Sequence, residues 1–599
     1  APADGGSAQA PAGGDAPEKW HIPQACGPRW VSAEVCAFKV WAPHGEDVTV
    51  EFEQEGGQVR ELKLAREGDF WAGEGPCEPG CRYRIALGSS WNDCFDAEGA
   101  RLCRRDPCAR ECDFESNWSI LHPPIRAPKP WNAPKFNEIV MYEIHLGSWV
   151  PADQEHRAYA WSTEKLQYIA DLGFNAIQLM PTAEFGGIWG YNSRQLLASH
   201  GPWGSRAELL QFVETAHSLG LAVIFDLVLN HGSSKKNTLW NWDGFGPNNC
   251  GGIYFEGEKD TPWGKRFAFH KSEVQDYLKQ SCRVSIEEYG ADGLRFDSVH
   301  NMPWWLLQQL TQQIKQHYPD KLLIAEITPE NPAVINDAGF HACWFHPAHF
   351  DSVKVMKRCD GGEDPGRAMK MLKNMVQPHG FGTIGAVQSA LGSHDQIGDR
   401  HDGKDEGGKH RHYVSRLGGK GNWHARAQMR AWFSFQNCCK GLPMTFMGTE
   451  ILQENWWHVD QHHRMNWGQA EGGDAHAEEM KRCVAASNKL RIATRALVED
   501  NCQITHDDSG NMILAFARHA EGAPSVVCIV HLGEGQWENG GYGINAGCGG
   551  DKKFVLKFNS QALEFGGWEG SAADEVQADG SGKIHVSIPK WSTLIYQSV

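Results

Sequence analysis

Between about residues 137 and 450, short apolar runs alternate with stretches whose apolar positions follow a helical period. The runs predict strands at 139–145, 176–180, 222–228, 292–296, 322–326 and 443–447, with two fainter ones near 341–345 and 384–392. Between them, Arg206 to Leu219, Glu273 to Tyr289 and Trp304 to His317 carry the helical pattern. Repeated alternation of this kind predicts parallel strands joined by crossover helices. Eight repeats predict an α/β fold of the (β/α)8, or TIM barrel, type, whose chemistry sits at the C-terminal ends of the strands.

On either side the period changes to that of strands alone. Cys36-Ala37-Phe38-Lys39-Val40-Trp41, Val48-Thr49-Val50-Glu51-Phe52 and Arg82-Tyr83-Arg84-Ile85 lie between Gly-rich turns, the pattern of a β-sandwich. Met512-Ile513-Leu514-Ala515-Phe516 and Lys583-Ile584-His585-Val586-Ser587-Ile588 predict a second one. The Pro-rich stretch His122-Pro123-Pro124-Ile125-Arg126-Ala127-Pro128-Lys129-Pro130 predicts a linker. The expected division is a disordered tail at 1–24, an N-terminal β-sandwich at 25–120, a linker at 121–136, the barrel at 137–497 and a C-terminal β-sandwich at 498–599. A chain of 599 residues is too long for one core, which agrees with that division.

Charge narrows the partners. The net charge of -17 speaks against a nucleic-acid surface, which needs a basic patch, and against acidic membranes. A neutral substrate fits it. No run reaches the roughly 18 apolar residues that cross a bilayer, and the first residues lack the apolar segment of a secretory signal. The expectation is an intracellular soluble monomer, in the cytoplasm or a plastid stroma. Eight of the 18 cysteines fall between Cys26 and Cys112 without paired C-x-x-C spacing, so they are expected as reduced thiols packed like small hydrophobes rather than as a metal site. The 25 tryptophans suit both core packing and stacking on sugar faces.

The candidate chemistry lies in acids at the ends of apolar runs, where acids are costly unless a site needs them. Asp297 closes Leu294-Arg295-Phe296-Asp297, Glu326 closes Leu322-Leu323-Ile324-Ala325-Glu326, and Asp395 follows Ser393-His394, each read as closing a strand-like run. Asp226 lies inside Ile224-Phe225-Asp226-Leu227. Retaining acetal cleavage needs two carboxyls about 5–5.5 Å apart, one attacking and one carrying a proton. Glu326 follows Asp297 by 29 residues, room for a helix and the next strand. Arg295 shares a strand face with Asp297 by the two-residue period and is expected to keep it ionised, while Glu326 needs a raised pKa to start protonated.

The segments Asp226-Leu227-Val228-Leu229-Asn230-His231, Gly293-Leu294-Arg295-Phe296-Asp297, Ile324-Ala325-Glu326 and Ser393-His394-Asp395 resemble, in order and separation, the four short motifs of the α-amylase superfamily. Gly190-Tyr191-Asn192 resembles its motif after the second strand. The resemblance implies Asp297 as nucleophile, Glu326 as general acid/base and Asp395 as transition-state stabiliser. It further implies that Arg295, His231 and His394 bind the sugar, that Tyr191 stacks beneath it and that Asp226 braces the site. Asn230 occupies a position that is often a calcium ligand in the family, but branching members manage without calcium, so no metal and no cofactor is expected.

Within the family, Met141-Tyr142-Glu143-Ile144-His145-Leu146-Gly147-Ser148-Trp149 and Phe38-Lys39-Val40-Trp41-Ala42-Pro43 are similar to segments of glycogen branching enzymes. That implies a transglycosidase acting on an α-1,4-glucan such as starch, glycogen or a maltooligosaccharide. Asp297-Ser298-Val299-His300 and Asp395-Gln396-Ile397-Gly398-Asp399-Arg400 lean instead toward the trehalose-releasing hydrolases of the family. His300 either shapes the acceptor side or caps a helix. A catalytically silent glucan binder is the third reading. Trp189, Trp203, Trp263, Trp304, Trp305, Trp456 and Trp457 are the candidate stacking residues near the mouth.

Overall fold

A computed structural model describes residues 26–88, 102–113, 115–234, 237–357, 364–382, 384–398, 410–547, 549–568 and 572–599. The tail expected at 1–24 lies outside the described residues.

Eight parallel strands close into a barrel. In chain order they are Met141–Ile144, Ala176–Leu179, Ala222–Leu227, Gly293–Phe296, Leu322–Ala325, Ala342–Trp344, Ala386–Gln388 and Leu442–Phe446. Each pairs with the next, and the first closes on the last with Met141 opposite Met444. All eight predicted runs are therefore strands of one sheet. Side chains of Met141, Ala176, Ile224, Ile324, Trp344, Val387 and Met444 fill the interior, and the alternate positions pack outward on the helices.

The helices form where the period places them. Arg206–Ser218 is opened by Ser205, whose side chain accepts from Glu208 N–H while the Glu208 carboxylate accepts from Ser205 N–H. A reciprocal cap of this kind contributes on the order of 1 kcal/mol. Trp304–His317 follows the fourth strand. The run read as one helix from Glu273 to Tyr289 is instead an α-helix over Ser272–Arg283 that widens into a π-type turn at Val284–Glu288.

Two antiparallel sheets precede the barrel. One joins Gly27–Trp30, Val35–Trp41, Phe70–Pro76 and Ala65–Glu67; the other joins Val59–Lys63, Asp47–Glu53, Cys81–Gly88 and Leu102–Arg104. Their inner faces bury Phe38, Val40, Val50, Phe52, Tyr83 and Ile85. Trp242 donates its indole N–H to Trp41 O at 3.0 Å, and Arg110 reaches Glu288 at 2.9 Å, so this unit is fixed to the barrel. After the barrel come a six-stranded antiparallel sheet and a two-stranded one. Arg518, fully buried, ties them to the barrel by donating to the carbonyls of Cys438, Leu497 and Glu499 at 2.6, 3.0 and 2.7 Å.

The Pro-rich stretch after His122 has no regular structure, as a linker would, yet it is docked. Arg126 pairs with Glu214, and Trp131 donates to Asp292 Oδ1 at 3.0 Å while stacking on His217 at 4.2 Å. The described cysteines are free thiols. Burial pushes Cys26 and Cys36 up to about 12, so both are thiols rather than thiolates at neutral pH. Among the described residues no helix is long and apolar enough to cross a membrane.

Candidate active site

The C-terminal ends of the third, fourth and fifth barrel strands converge on one guanidinium. Arg295 points inward from the fourth strand and is wholly buried. Its Nη1 donates to both oxygens of Asp226, at 2.7 and 2.6 Å, and to Asp297 Oδ1 at 3.1 Å. Its Nη2 donates to Glu326 Oε2 at 2.6 Å. The central carbon of the guanidinium lies over the Trp344 ring, 4.4 Å from its centroid. The sequence period put Arg295 beside Asp297. That it also grips Asp226 and Glu326 follows from barrel register, with Asp226 opposite Arg295 and Phe296 opposite Ala325.

Asp297 and Glu326 are the first residues past their strands. Their side chains are 12% and 14% exposed, so both open to the mouth while most of each is out of water. Backbone bonds pin them: Asp297 N–H to Leu227 O at 3.0 Å, Glu326 N–H to Phe296 O at 3.0 Å and Val299 N–H to Glu326 O at 2.8 Å. Between them Ser298 adopts a left-handed conformation, φ 46°, ψ 50°. This turn aims Ser298 N–H at Glu326 Oε2, 3.0 Å away. A side-chain-bearing residue held there costs about 1 kcal/mol or more, the kind of strain that persists where a site requires it.

Three carboxyls around one cation cannot all ionise cheaply. Burial, and then the neighbouring Glu326 charge, push Asp297 up to about 7. Glu326 goes the other way: against the upward push of its burial, Arg295, His346 and the Ser298 N–H bring it down to about 2. Burial also raises Asp226, against the pull of Arg295. The expectation was the reverse, with Arg295 keeping Asp297 ionised and Glu326 protonated. Burial and the Glu326 charge act on Asp297 first, and the fork offsets them less there, since Nη2 is 2.6 Å from Glu326 but Nη1, shared with Asp226, is 3.1 Å from Asp297.

Asp395 departs from the sequence expectation. The seventh strand ends at Gln388, and Asp395 sits beyond it in a short helix, His394–Ile397. Ser393 caps this turn with a reciprocal bond to Gln396. Glu143, buried in the first strand, holds it from below. It accepts from His394 N–H at 3.0 Å and from His394 Nδ1 at 2.8 Å, while Gln178 Nε2 donates to it at 3.2 Å. His394 Nε2 lies 3.6 Å from Asp395 Oδ1. Tyr191 stacks one face on His394, centroids 5.1 Å apart, and donates its hydroxyl to Asp226 Oδ2 at 2.7 Å.

His231 is placed less as expected for a sugar ligand. Its Nε2 bonds Tyr191 O at 3.0 Å and its Nδ1 meets Asn230 Oδ1, so both ring nitrogens face protein oxygens. Burial lowers it to about 4, leaving it neutral. Asn230 in turn donates to Asp297 Oδ2 at 2.9 Å and to Asp297 O at 2.8 Å, directly positioning that carboxyl. His300 is exposed and turns back toward Ser298 Oγ at 3.3 Å and Asn301 Nδ2 at 3.1 Å.

Three residues of the site were not singled out from sequence, Glu143, Trp344 and His346, and Asn230, read there only as a position the family often uses for calcium, instead supports Asp297. His346 Nε2 lies 4.0 Å from Glu326 Oε1. Glu143 had a legible signal, an acid inside an apolar strand. Trp344 and His346 had none, because only the barrel closure brings the sixth strand beside the fifth. Among the described residues no group of three or more His, Cys, Asp or Glu is arranged to hold a metal ion.

Two family models match the chain: the α-amylase catalytic domain over residues 162–243 and the α-amylase C-terminal all-beta domain over residues 504–599. The 1,4-alpha-glucan branching enzyme GlgB 2 of Xanthomonas euvesicatoria pv. vesicatoria is 28% identical over 560 residues, covering 81% of this chain and 69% of that protein. The 1,4-alpha-glucan branching enzyme GlgB of Corynebacterium efficiens is 26% identical over 607 residues, covering 91% and 77%. The crystal structure of a pullulanase complexed with maltotriose, from an Anoxybacillus strain, superposes with a TM-score of 0.75 at 17% identity, covering 97% of this chain and 86% of that one, a likeness of fold.

Proposed function

The chain belongs to the α-amylase superfamily, and we propose that it is a retaining 1,4-α-glucan branching enzyme. The observation that carries the chemistry is the pairing of Asp297 and Glu326 on Arg295. Because Phe296 lies opposite Ala325, the two acids follow side by side at the ends of neighbouring strands. Neighbouring strands lie about 4.8 Å apart, which matches the carboxyl spacing of about 5–5.5 Å used for double displacement with retention. Inversion needs a wider gap, to admit a water between the acids.

In the first step an Asp297 oxygen attacks C1 of a glucosyl unit. The bond from C1 to the glycosidic oxygen breaks, and that oxygen takes the Glu326 proton. In the second step an acceptor 6-hydroxyl gives its proton to Glu326. Its oxygen bonds to C1, and Asp297 is released as carboxylate. The result is an α-1,6 branch, with no reducing end gained. Asp395 grips the distorted sugar, Tyr191 and His394 floor its pocket, and Asp226 and His231 keep Arg295, Tyr191 and Asn230 in place.

The pair needs one proton, on Glu326, to begin. A glycosidic oxygen bonded to Glu326 favours its protonated form, and positive charge growing at C1 favours the Asp297 carboxylate. Substrate therefore draws the shared proton from Asp297 to Glu326.

Branching rather than hydrolysis rests on the two curated relatives, both named as branching enzymes. The test is incubation with amylose followed by debranching. New short chains without a matching rise in reducing ends are expected. Reducing ends rising in step with cleavage assign the chain to the hydrolases instead, and release of trehalose from a maltooligosyl-trehalose identifies which one. No turnover on any glucan leaves only a glucan binder.

A further inference from the structure

Among the described residues three indole or phenyl side chains are exposed: Trp263 at 40%, Trp305 at 47% and Phe350 at 53%. The other candidate stacking residues are not available in this way. Trp189, Trp203 and Trp457 are buried, at 7%, 1% and 1%, and Trp304 and Trp456 are half-buried. Exposed aromatic surface is unfavourable unless something covers it in use. All three exposed rings come from connections at the C-terminal ends of barrel strands, the end where the carboxyls open.

Each is linked to Glu326 through the residues that hold it. Trp263 sits 5.9 Å from the His231 ring and immediately precedes the strand Gly264–Arg266, whose Arg266 Nη2 donates to Asn301 Oδ1 at 3.0 Å. Asn301 ends the turn that begins at Val299, the residue bonded to Glu326 O. Trp305 is the second residue of the helix just beyond that turn. Phe350 lies on the helix Pro347–Lys357, which begins next to His346, 4.0 Å from Glu326. Next to Asp395 the rings of Tyr191 and Trp189 instead pack on His394 and are not exposed in this way.

The proton carrier marks where the second sugar chain belongs. Glu326 protonates the leaving oxygen and later takes the proton of the attacking hydroxyl, so leaving group and acceptor occupy the same side. We propose that Trp263, Trp305 and Phe350 form the surface that holds the acceptor glucan, and that they decide between transfer to a 6-hydroxyl and transfer to water. This rests on the branching reading above. An acceptor chain stacked on these rings covers the Glu326 side and keeps water from the glucosyl ester.

The test measures, with amylose as both donor and acceptor, new chains after debranching per reducing end gained. For Trp305→Ala and Phe350→Ala the ratio is expected to fall at least fivefold each, and for Trp263→Ala to fall in the same direction. Trp305→Phe, which keeps a ring, is expected to restore most of it. A ratio unchanged in all three alanine variants, whatever happens to the overall rate, overturns the proposal. A wild type that transfers only to water overturns the branching reading itself. The two failures are distinct, because the wild-type ratio is read first.

Discussion

Glu143→Gln removes one oxygen from a fully buried support of the site. Three donors converge on that carboxyl: His394 N–H at 3.0 Å on Oε2, and His394 Nδ1 at 2.8 Å with Gln178 Nε2 at 3.2 Å on Oε1. A glutamine offers one acceptor oxygen, and its amide N–H2 must face one of the two His394 donors. The residue is fully buried, so no water replaces the lost acceptor. A hydrogen bond to a charged group is worth about 1.5–3 kcal/mol, and an orphaned buried donor costs a similar amount. The strand beneath is fixed by the barrel ladder, so the yielding element is the His394–Ile397 turn that carries Asp395. If that cost appears in the transition state, kcat on amylose falls roughly 10- to 150-fold, since about 1.4 kcal/mol is a factor of ten. The assay is kcat on amylose beside a thermal melt. Retention of kcat within twofold in a folded variant refutes the claim that Glu143 positions Asp395 through His394.

Three further outcomes follow from the cluster around Arg295. The kcat/KM on amylose is expected to hold while the Asp297–Glu326 pair carries one proton and to fall as the pH rises past about 7; a profile flat to pH 9 contradicts the shared proton. Asp297→Asn is expected to abolish turnover while leaving glucan binding intact. It also bears on stability: the folded pKa of Asp297 is raised, so the folded state holds a proton the unfolded chain has lost, and stability declines as the pH rises from about 4 to about 7. The variant is therefore expected to melt higher than wild type at pH 8, with the gain fading toward pH 4; a gain that grows on acidification reverses the sign and sinks the assignment. At Ser298, Gly is expected to be close to neutral in a thermal melt and Ala to cost about 1 kcal/mol, because Ala keeps the left-handed strain and loses the hydroxyl bonded to Asn301; a glycine variant less stable than the alanine one refutes the strain.

The barrel was legible because its signal is local and repeated. A strand such as Leu322–Ala325 is an apolar run closed by a carboxylate, and both properties are written in adjacent residues. Asp297, Glu326 and Arg295 could be placed in one mouth from spacing alone. Asp395 could not be placed correctly, because the segment between the seventh strand and its turn is apolar enough to read as more strand, while the Ser393 cap that breaks it depends on Gln396 three residues later. His346 and Trp344 were invisible for a different reason. Their partners, Glu326 and Arg295, lie on other strands, and no local pattern encodes which side chain a closed barrel brings opposite which. The protonation bias was missed likewise: the period gives Arg295 to Asp297, but only register gives it to Glu326 as well.

Arg295 explains why the mouth works as a unit. A lysine is a compact point charge whose three donors rotate on one nitrogen; a planar fork presents donors in two directions at fixed angles. Here one nitrogen is taken by Asp226 and touches Asp297, and the other meets Glu326. The Trp344 ring packs on the fork, 4.4 Å from its central carbon, and the bonds to Asp226 anchor it from the other strand. Because the cation cannot follow the charge, the proton must move instead. A single proton passing between two neighbouring carboxyls, beside a fixed positive charge, is the requirement of double displacement: one acid leaves the first step as an ester and the other as a base. The cluster remains net negative when Asp226 and one of the pair are ionised, which favours positive charge on the sugar ring between them. Arg295 thus limits how negative the site becomes, while Asp226 holds Arg295 in place to do so.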